Sequence, residues 1–524
     1  MRFLSPANSA GLFAITAMLT VTAAAFYGLI GFNQQGADVT ILSDPYFHSI
    51  LLFSLEQALL SALLSVALAW PVARALYYVP SLPGNKWFLS LCLLCFVLPT
   101  LVLITGFVSL LGLSGSLTPF LPDDFSLYGL QGILLAHVYM NLPFAVRSLF
   151  LQMQSIPQSS WHLARQLKMG PLARLRHIEW PVLRPTLSLL FGFIAILCFN
   201  SFAVVLALGG GPQSTTLEVA IYQALKYDFN IPEALTLAWT QLLIAGAFFL
   251  LLYRSNQVTW LSKDSLIKVQ LPNISPLKKH GFLLCYCCAT VFMLAPLFAL
   301  LPGVFAFQPK LGVMIDIASA LGLTLALGSI SAIAAIAICY AVLVPIRQAT
   351  LLSRQRLAAN LLWLSTHSLI APAMVISVGL YILFLPHLDF DAWGLAFVVI
   401  LNTLVVFPFA MQQLRPRLLQ YDSDYAKLSR NLKLSPLRRL EIEWRYIRSA
   451  VLNAFALVLL LAMGDVALFS IFGGGDHKTL PWLIYQYAGS YRINEASLGS
   501  AILLIIYLVI LLLLERAKDL AAHR

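Results

Sequence analysis

The sequence predicts an all-α polytopic membrane protein of about twelve transmembrane helices, arranged as two fused six-helix halves. Three observations predict it. Of 524 residues, 60% are hydrophobic and only 10% are charged, whereas a soluble domain carries roughly 25% charged residues. Apolar runs long enough to cross a bilayer as helices recur from end to end. The second half of the chain also repeats the first in register.

The runs are continuous rather than alternating, which argues against a membrane β-barrel. They place spans near 10–32, 49–78, 87–112, 128–153, 185–208, 233–253, 281–306, 316–345, 358–384, 393–413, 448–472 and 496–514. Pro71 is expected to interrupt the second span and Pro99 the third, since proline removes a helical hydrogen bond. The first run has Arg2 ahead of it and Ala23, Ala24 and Ala25 inside it, as a signal peptide has. It continues through Phe26 to Phe32, however, and reads as a retained span.

Charge sets the orientation, because cytoplasmic loops concentrate Lys and Arg. One set of loops carries Arg74 and Lys86, the cluster Arg165 to Arg184, and Arg254 to Lys279. It also carries Arg347, Arg354 and Arg356, the cluster Arg415 to Arg448, and the tail Arg516 to Arg524. The alternate loops hold Asp38, Asp44, Asp123, Asp124, Asp389 and Asp391. Both termini are therefore expected in the cytoplasm. The net charge of +11 belongs to the membrane face, not to nucleic-acid binding, because the bases are scattered between spans.

The seven cysteines all lie in apolar runs. Cys92 and Cys95 form a CxxC, but no second Cys or His cluster accompanies it. No metal, cofactor or disulfide framework is expected.

The repeat is explicit. Pro143-Phe144-Ala145 recurs as Pro408-Phe409-Ala410, and Gly129-Leu130 as Gly394-Leu395, both at an offset of 265. The stretch 163–175 then matches 428–440 at the same offset. One residue is dropped, and Ile178-Glu179-Trp180 faces Ile442-Glu443-Trp444. Gly209-Gly210-Gly211 faces Gly473-Gly474-Gly475, expected to end the fifth and eleventh spans, and Tyr222 faces Tyr485. Six spans per half is an even number, so the halves share one orientation about an axis along the membrane normal, with a passage at the seam. This divides the chain into halves 1–254 and 280–524, joined by a polar linker at 255–279 containing Pro272 and Pro276.

Each half carries an unusually long cytoplasmic loop, about 155–184 and about 416–448. Each reads as two short helices separated by a break, Gly170-Pro171 in one copy and Ser435-Pro436 in the other. Leu163 and Leu167 share a face at i, i+4, and Leu172, Leu175 and Ile178 make a second apolar stripe. Such a knob suits a helix-in-groove contact with a partner, and two knobs imply two copies of it. A helix pair lying on the membrane surface is the plainer alternative.

These loops resemble the coupling segment of binding-protein-dependent ABC importer permeases. That segment reads Glu-Ala-Ala, two residues, Leu-Gly, and later Leu-Pro. Here Leu163-Ala164, Leu167-Lys168 and Trp180-Pro181 hold those positions, and Leu428-Ser429 and Leu432-Lys433 do so in the second copy. The acid is absent, lysine stands where the turn glycine is expected, and Arg445 replaces the later proline. The resemblance assigns Leu163, Ala164, Leu167, Lys168, Gly170, Pro181, Leu428, Ser429, Leu432 and Lys433 to contact with two copies of an ATP-binding subunit. Within the family, Tyr128 to His137, Leu208 to Gln213, Leu217 to Leu225 and Gly489 to Arg492 are similar to thiamine transporter permeases of Gram-negative bacteria. That similarity implies a periplasmic thiamine-binding protein as a further partner, and an inner-membrane location. It also implies import of thiamine or its phosphate esters, with ferric iron or a polyamine as alternative cargo and a secondary carrier as the competing class.

No GxxxxGK[ST] phosphate loop is present, and 473–479 lacks the Gly-Lys pair, so ATP hydrolysis is expected in a partner subunit. Neither HExxH nor GxSxG appears, which leaves little for a membrane enzyme. One acid, Asp465, stands inside the eleventh span. A carboxylate at that depth should face the bundle interior or a wet cavity. Its repeat counterpart is Ser201, beside Asn200. Asp465, Asn200 and Ser201 are therefore candidates for a path taken by a cation, with Asp465 as a helix cap the structural alternative. Tyr222 and Tyr485 are candidates for an aromatic gate or, alternatively, interface-belt tyrosines.

Overall fold

Helices satisfy their own backbone, which is why apolar runs of this length fold as helices in lipid. The computed structural model describes residues 6–31, 39–254, 275–369, 372–432, 435–474 and 477–522. In the first half α1 is Pro6–Gly31, α2 Pro45–Tyr78, α3 Asn85–Val97, α4 Thr100–Leu111, α5 Leu130–Gln154, and α6 Gln158–Gln166. Then come α7 Pro171–Arg174, α8 Trp180–Phe199, α9 Ala203–Leu208, α10 Leu217–Lys226 and α11 Ile231–Arg254. In the second half α12 is Pro276–Phe298, α13 Leu301–Ala306, α14 Leu311–Leu351, α15 Gln355–Ser365, α16 Ala373–Phe384, and α17 Phe390–Asn431. It closes with α18 Pro436–Met463, α19 Ala467–Phe472, α20 Leu480–Gly489 and α21 Ile493–Ala522.

Among the described residues, ten helical segments are long and apolar enough to cross a bilayer, and the bent pair α3 and α4 makes an eleventh. The pair bends by 102° at Leu98-Pro99, where the sequence places a proline kink. The run at 358–384 does not form one span. It divides into α15 and the twelve-residue α16, with Pro372 at the start of α16 as Pro99 is at the start of α4. Pro71 does not interrupt its helix, for α2 continues unbroken through it. The runs at 185–208 and 448–472 are broken, at 200–202 and at 464–466. Most of the expected linker, 255–274, lies outside the described residues, and its last residues already belong to α12.

The repeat holds in three dimensions. α2 packs against α5 and α8, and α14 packs against α17 and α18. The Leu217 N–H at the start of α10 donates to Ser54 Oγ on α2 at 3.0 Å. Its counterpart, the Leu480 N–H of α20, donates to Thr324 Oγ1 on α14 at 2.7 Å. The first helix of each half crosses to the other: α1 packs on α14 and α16, and α12 on α2 and α4. Glycine permits both crossings. A Cβ at Gly379 would overlap the carbonyl of Ala25 on α1, and one at Gly106 would overlap the carbonyl of Pro296 on α12. The remaining seam is formed by α4 against α20 and α21, mirrored by α16 against α10 and α11. Burying each half's first helix in the other ties the halves into one bundle, so the seam between them is a packed interface and not a loose cleft.

Candidate coupling site and seam

In the first half Pro157 separates α5 from α6, because proline cannot continue the hydrogen-bond ladder. α6 is pinned by Trp161, which is buried, donates from Nε1 to Tyr77 Oη at 3.0 Å and packs on Tyr77 and Tyr78. Ala164 is also buried, at 4% exposure. It faces the interior of this chain, so it is not on an outward contact face. Leu163, at 54%, and Leu167, at 60%, are exposed, as are Leu172, Leu428 and Leu432. The apolar i, i+4 pair thus points outward in both copies.

Lys168 takes the left-handed conformation at φ 47°. The Met169 N–H donates to Ala164 O at 2.9 Å and the Lys168 N–H to Arg165 O at 3.0 Å. This pair of bonds is the Schellman closure of a helix, which favours glycine at the left-handed residue. The lysine makes this turn in the conformation that glycine favours. Gly170 has φ −67° and open space around it, so its geometry does not demand glycine. Lys433, the matching residue of the second copy, lies outside the described residues, and Ser429 is on α17.

The two copies differ in a way the sequence offset already encodes. Between Leu175 and Ile178 the offset falls from 265 to 264. The first copy accommodates its extra residue as a π-helical turn, Leu175–Glu179. A single inserted residue in a helix is absorbed this way. Pro181 follows directly after that turn, inside a helix that runs continuously from Pro171 to Phe199, so the hydrogen bond it removes falls beside the π-turn. The second copy has no insertion. α18 runs from Ser435, whose Oγ accepts from the Arg438 N–H, straight into the membrane. On its other side Asp422 replaces proline, and α17 runs unbroken from span into coupling segment.

Sequence reasoning missed what lashes each segment to the bundle. Glu179 accepts from Tyr78 Oη at 2.6 Å, and its Oε2 lies 2.9 Å from Arg74 Nε. In the second half Arg347 donates to both oxygens of Asp422 at 2.7 Å and to both of Glu443 at 2.8 Å. Tyr340 Oη adds a bond to Glu443 at 2.7 Å. Bidentate guanidinium–carboxylate pairs are strong and directional. Each latch ties the last turns of α2 or α14 to the start of the helix that re-enters the bilayer. The signal was present: Glu179 and Glu443 stand in the repeated Ile-Glu-Trp.

At the seam the broken spans carry the other candidates. Asn200 and Ser201 form the break between α8 and α9, and Asp465 that between α18 and α19. Asp465 is partly exposed, and its Oδ2 accepts from the Leu468 N–H at 3.1 Å, capping α19. Asn200 Oδ1 accepts from Gln241 Nε2 at 3.2 Å, and the same Nε2 donates to Glu218 Oε1 at 2.6 Å. Glu218 is buried, and it and Asp465 are near enough to interact electrostatically, one from each half. Sequence reasoning passed over Glu218 because it is one acid in a helical apolar stretch. Tyr222 is buried on α10 and lies near Tyr485 on α20. It also stacks edge-on with Phe202 at 5.2 Å and with Tyr227 at 5.7 Å. The carbonyl of Cys198, in the last turn of α8, also accepts from Gln57 Nε2 at 2.9 Å. Polar groups inside a bundle that satisfy broken helices in this way mark transport paths.

A duplicated bundle with broken helices at its seam and one latched, outward-facing apolar knob per half is the plan of a membrane transport permease. The chain belongs to the family of binding-protein-dependent transport system inner membrane components, whose model matches residues 341–524. It is 35% identical to the thiamine transport system permease protein ThiP of Brucella abortus (strain 2308), over 98% of this chain and 96% of the relative. The ThiP of Haemophilus influenzae is 34% identical over 91% of this chain and 90% of its own length. That of Escherichia coli K12 is 33% identical, over 97% and 96%. The chain is thus a multi-pass inner-membrane permease.

Proposed function

We propose that this chain is the membrane-spanning subunit of an ATP-driven importer that moves thiamine or its phosphate esters into the cytoplasm. The observation that carries the reading is identity of 33–35% along nearly the whole chain to permeases named for thiamine transport. Halves 1–254 and 280–524 act as two permease units joined by 255–279. A periplasmic binding protein delivers the cargo, and two copies of an ATP-binding subunit dock on the coupling knobs. The exposed leucines Leu163, Leu167, Leu428 and Leu432 support that docking. Hydrolysis belongs to those subunits, and this chain transmits their closure. The basic loops support an orientation with both termini and both knobs in the cytoplasm.

The path runs along the seam. Thiamine is a fixed cation through its thiazolium ring, and desolvating it is costly unless carboxylates or aromatic faces stand along the way. Asp465 and Glu218 supply charge from opposite halves, Asn200 and Ser201 supply polar groups, and Tyr222 and Tyr485 supply rings. The knobs are latched to α2 and α14, whose outer parts hold the starts of α10 and α20. Closure of the ATP-binding subunits is therefore passed to the tyrosines through rigid helices. The test is uptake by proteoliposomes holding the permease, its ATP-binding subunit and the binding protein, with labelled thiamine, ferric iron and spermidine offered separately. ATP-dependent uptake of thiamine alone is expected. Uptake of another cargo in preference, or uptake without ATP, rejects the reading.

A further inference from the structure

Beside the first coupling segment lies a pocket of about 280 Å³. Arg74, Tyr78, Arg174, Glu179, Lys278 and Phe282 line it. It sits where α2 ends and α12 begins, on the face that carries the knobs. Three cations stand against one carboxylate. Glu179 engages only one edge of Arg74, through Nε at 2.9 Å and Nη2 at 3.3 Å. Nη1 has no partner among the described residues. The Arg74 guanidinium is held over the stacked rings of Tyr78 and Phe282, which lie 3° from parallel. Arg174 spends one N–H, Nε, on the carbonyl of Met169 at 3.0 Å. Lys278 is in the first turn of α12, and Ser275 at that helix's N-cap makes no side-chain cap. The helix's first N–H groups therefore add positive potential.

The second half shows what this place looks like when neutral. Arg347 pairs with Glu443 as Arg74 pairs with Glu179, and Arg439 and Glu443 stand at the counterparts of Arg174 and Glu179. Ser5-Pro6 and Gly11 align with Ser275-Pro276 and Gly281, which puts Asn8 opposite Lys278. Asn8 is uncharged and its side chain bonds Gln348. Asp422 stands where the first half has Pro157, and it takes both remaining bonds of Arg347. Two cations thus meet two carboxylates within the chain. In the first half the acid is gone and a lysine is added, and the space left is a pocket.

We propose that this pocket binds a phosphate-bearing anion, the headgroup of an acidic phospholipid. Arginine and lysine at the cytoplasmic end of the bundle match a phosphate's charge, and the rings of Phe282 and Tyr78 give the pocket an apolar wall. The anion would tie α12, which belongs to the second half, to the coupling segment of the first. Free phosphate shares the chemistry, and the test separates the two sources.

The full chain in phosphatidylcholine nanodiscs is titrated with phosphatidylglycerol and, separately, with inorganic phosphate, and bound ligand is counted by native mass spectrometry. Arg174→Gln with Lys278→Gln is compared with Arg184→Gln with Lys279→Gln, which removes equal charge outside the pocket. About fivefold per charge is expected. Phosphatidylglycerol affinity should fall on the order of 25-fold in the pocket variant and stay near wild type in the control. Lys278→Gln alone, at an exposed position that cannot unfold the bundle, should lose about fivefold. Binding of inorganic phosphate alone, lost in the pocket variant, keeps the anion site but assigns it to soluble phosphate. Equal affinities in the two double variants, or no binding of either probe, overturn the proposal.

Discussion

Replacing Arg347 with methionine tests the latch of the second coupling segment. The Arg347 side chain is 11% exposed, and it pairs Asp422 and Glu443, at 9% and 13%. Methionine keeps most of the volume and removes all four charge-assisted bonds. Two nearly buried carboxylates are then left facing each other without a cation. Breaking a buried pair from one side costs about 3–5 kcal/mol, a loss of at least a hundredfold in the folded-to-unfolded ratio. The cause is uncompensated charge rather than lost attraction, so neutralising the acids should reverse it. The triple variant Arg347→Met, Asp422→Asn, Glu443→Gln is expected to recover most of the loss. The assay is thermal unfolding of the purified chain in detergent, with capture of the ATP-binding subunit measured on the same samples. A single variant that unfolds with wild type, or a triple variant less stable than the single one, refutes the reasoning.

Other predictions follow from the knobs, the seam and the charged loops. Leu163→Asp with Leu428→Asp places a charge in each exposed apolar contact, at a cost of about 1–3 kcal/mol per site on docking. The ATP-binding subunit should be lost from pull-downs while membrane insertion is unchanged, and normal capture sinks the docking role. Asp465→Asn keeps the cap on α19 but removes the charge, and Glu218→Gln keeps the bond to Gln241. Each should lower thiamine uptake at limiting substrate with assembly intact, whereas unchanged uptake leaves both as structural groups. Single cysteines at Asp123 and Ser265 report orientation through an impermeant thiol reagent. Position 123 should label in intact cells and 265 should not, and the reverse pattern inverts the topology.

The sequence revealed what depends on composition and register. Continuous apolar runs mark spans because lipid leaves the backbone no other solution, and Pro99 marks the bend in the third. The outward-facing leucine pairs were legible because they recur at i, i+4 in two copies. What stayed hidden depends on distance in three dimensions. Hydropathy runs on through Asn200 and Gly464, so the two helix breaks leave no gap in it. Pro71 looked like a break, yet α2 passes it intact. Ala164 looked like part of the outward face, but the helix turns it toward the chain's own interior beside Trp161. Arg74 and Arg347 looked like ordinary basic loop residues. Only the fold brings them to Glu179 and Glu443, which lie 105 and 96 residues away. The dropped residue after Leu175 looked like a gap, and it is a π-turn.

The central claim is that cargo crosses at the seam between the halves, between α10 and α20. The most direct measurement uses Tyr222→Cys with Tyr485→Cys, with the exposed Cys287 and Cys288 replaced by serine. A short cleavable bis-maleimide joins the new pair in the reconstituted importer. Uptake of labelled thiamine and binding of the ATP-binding subunit are then followed before and after linker cleavage. Linking is expected to stop uptake, to leave the complex assembled, and to be reversed by cleavage. Uptake that continues at the wild-type rate through a fully linked pair contradicts the claim.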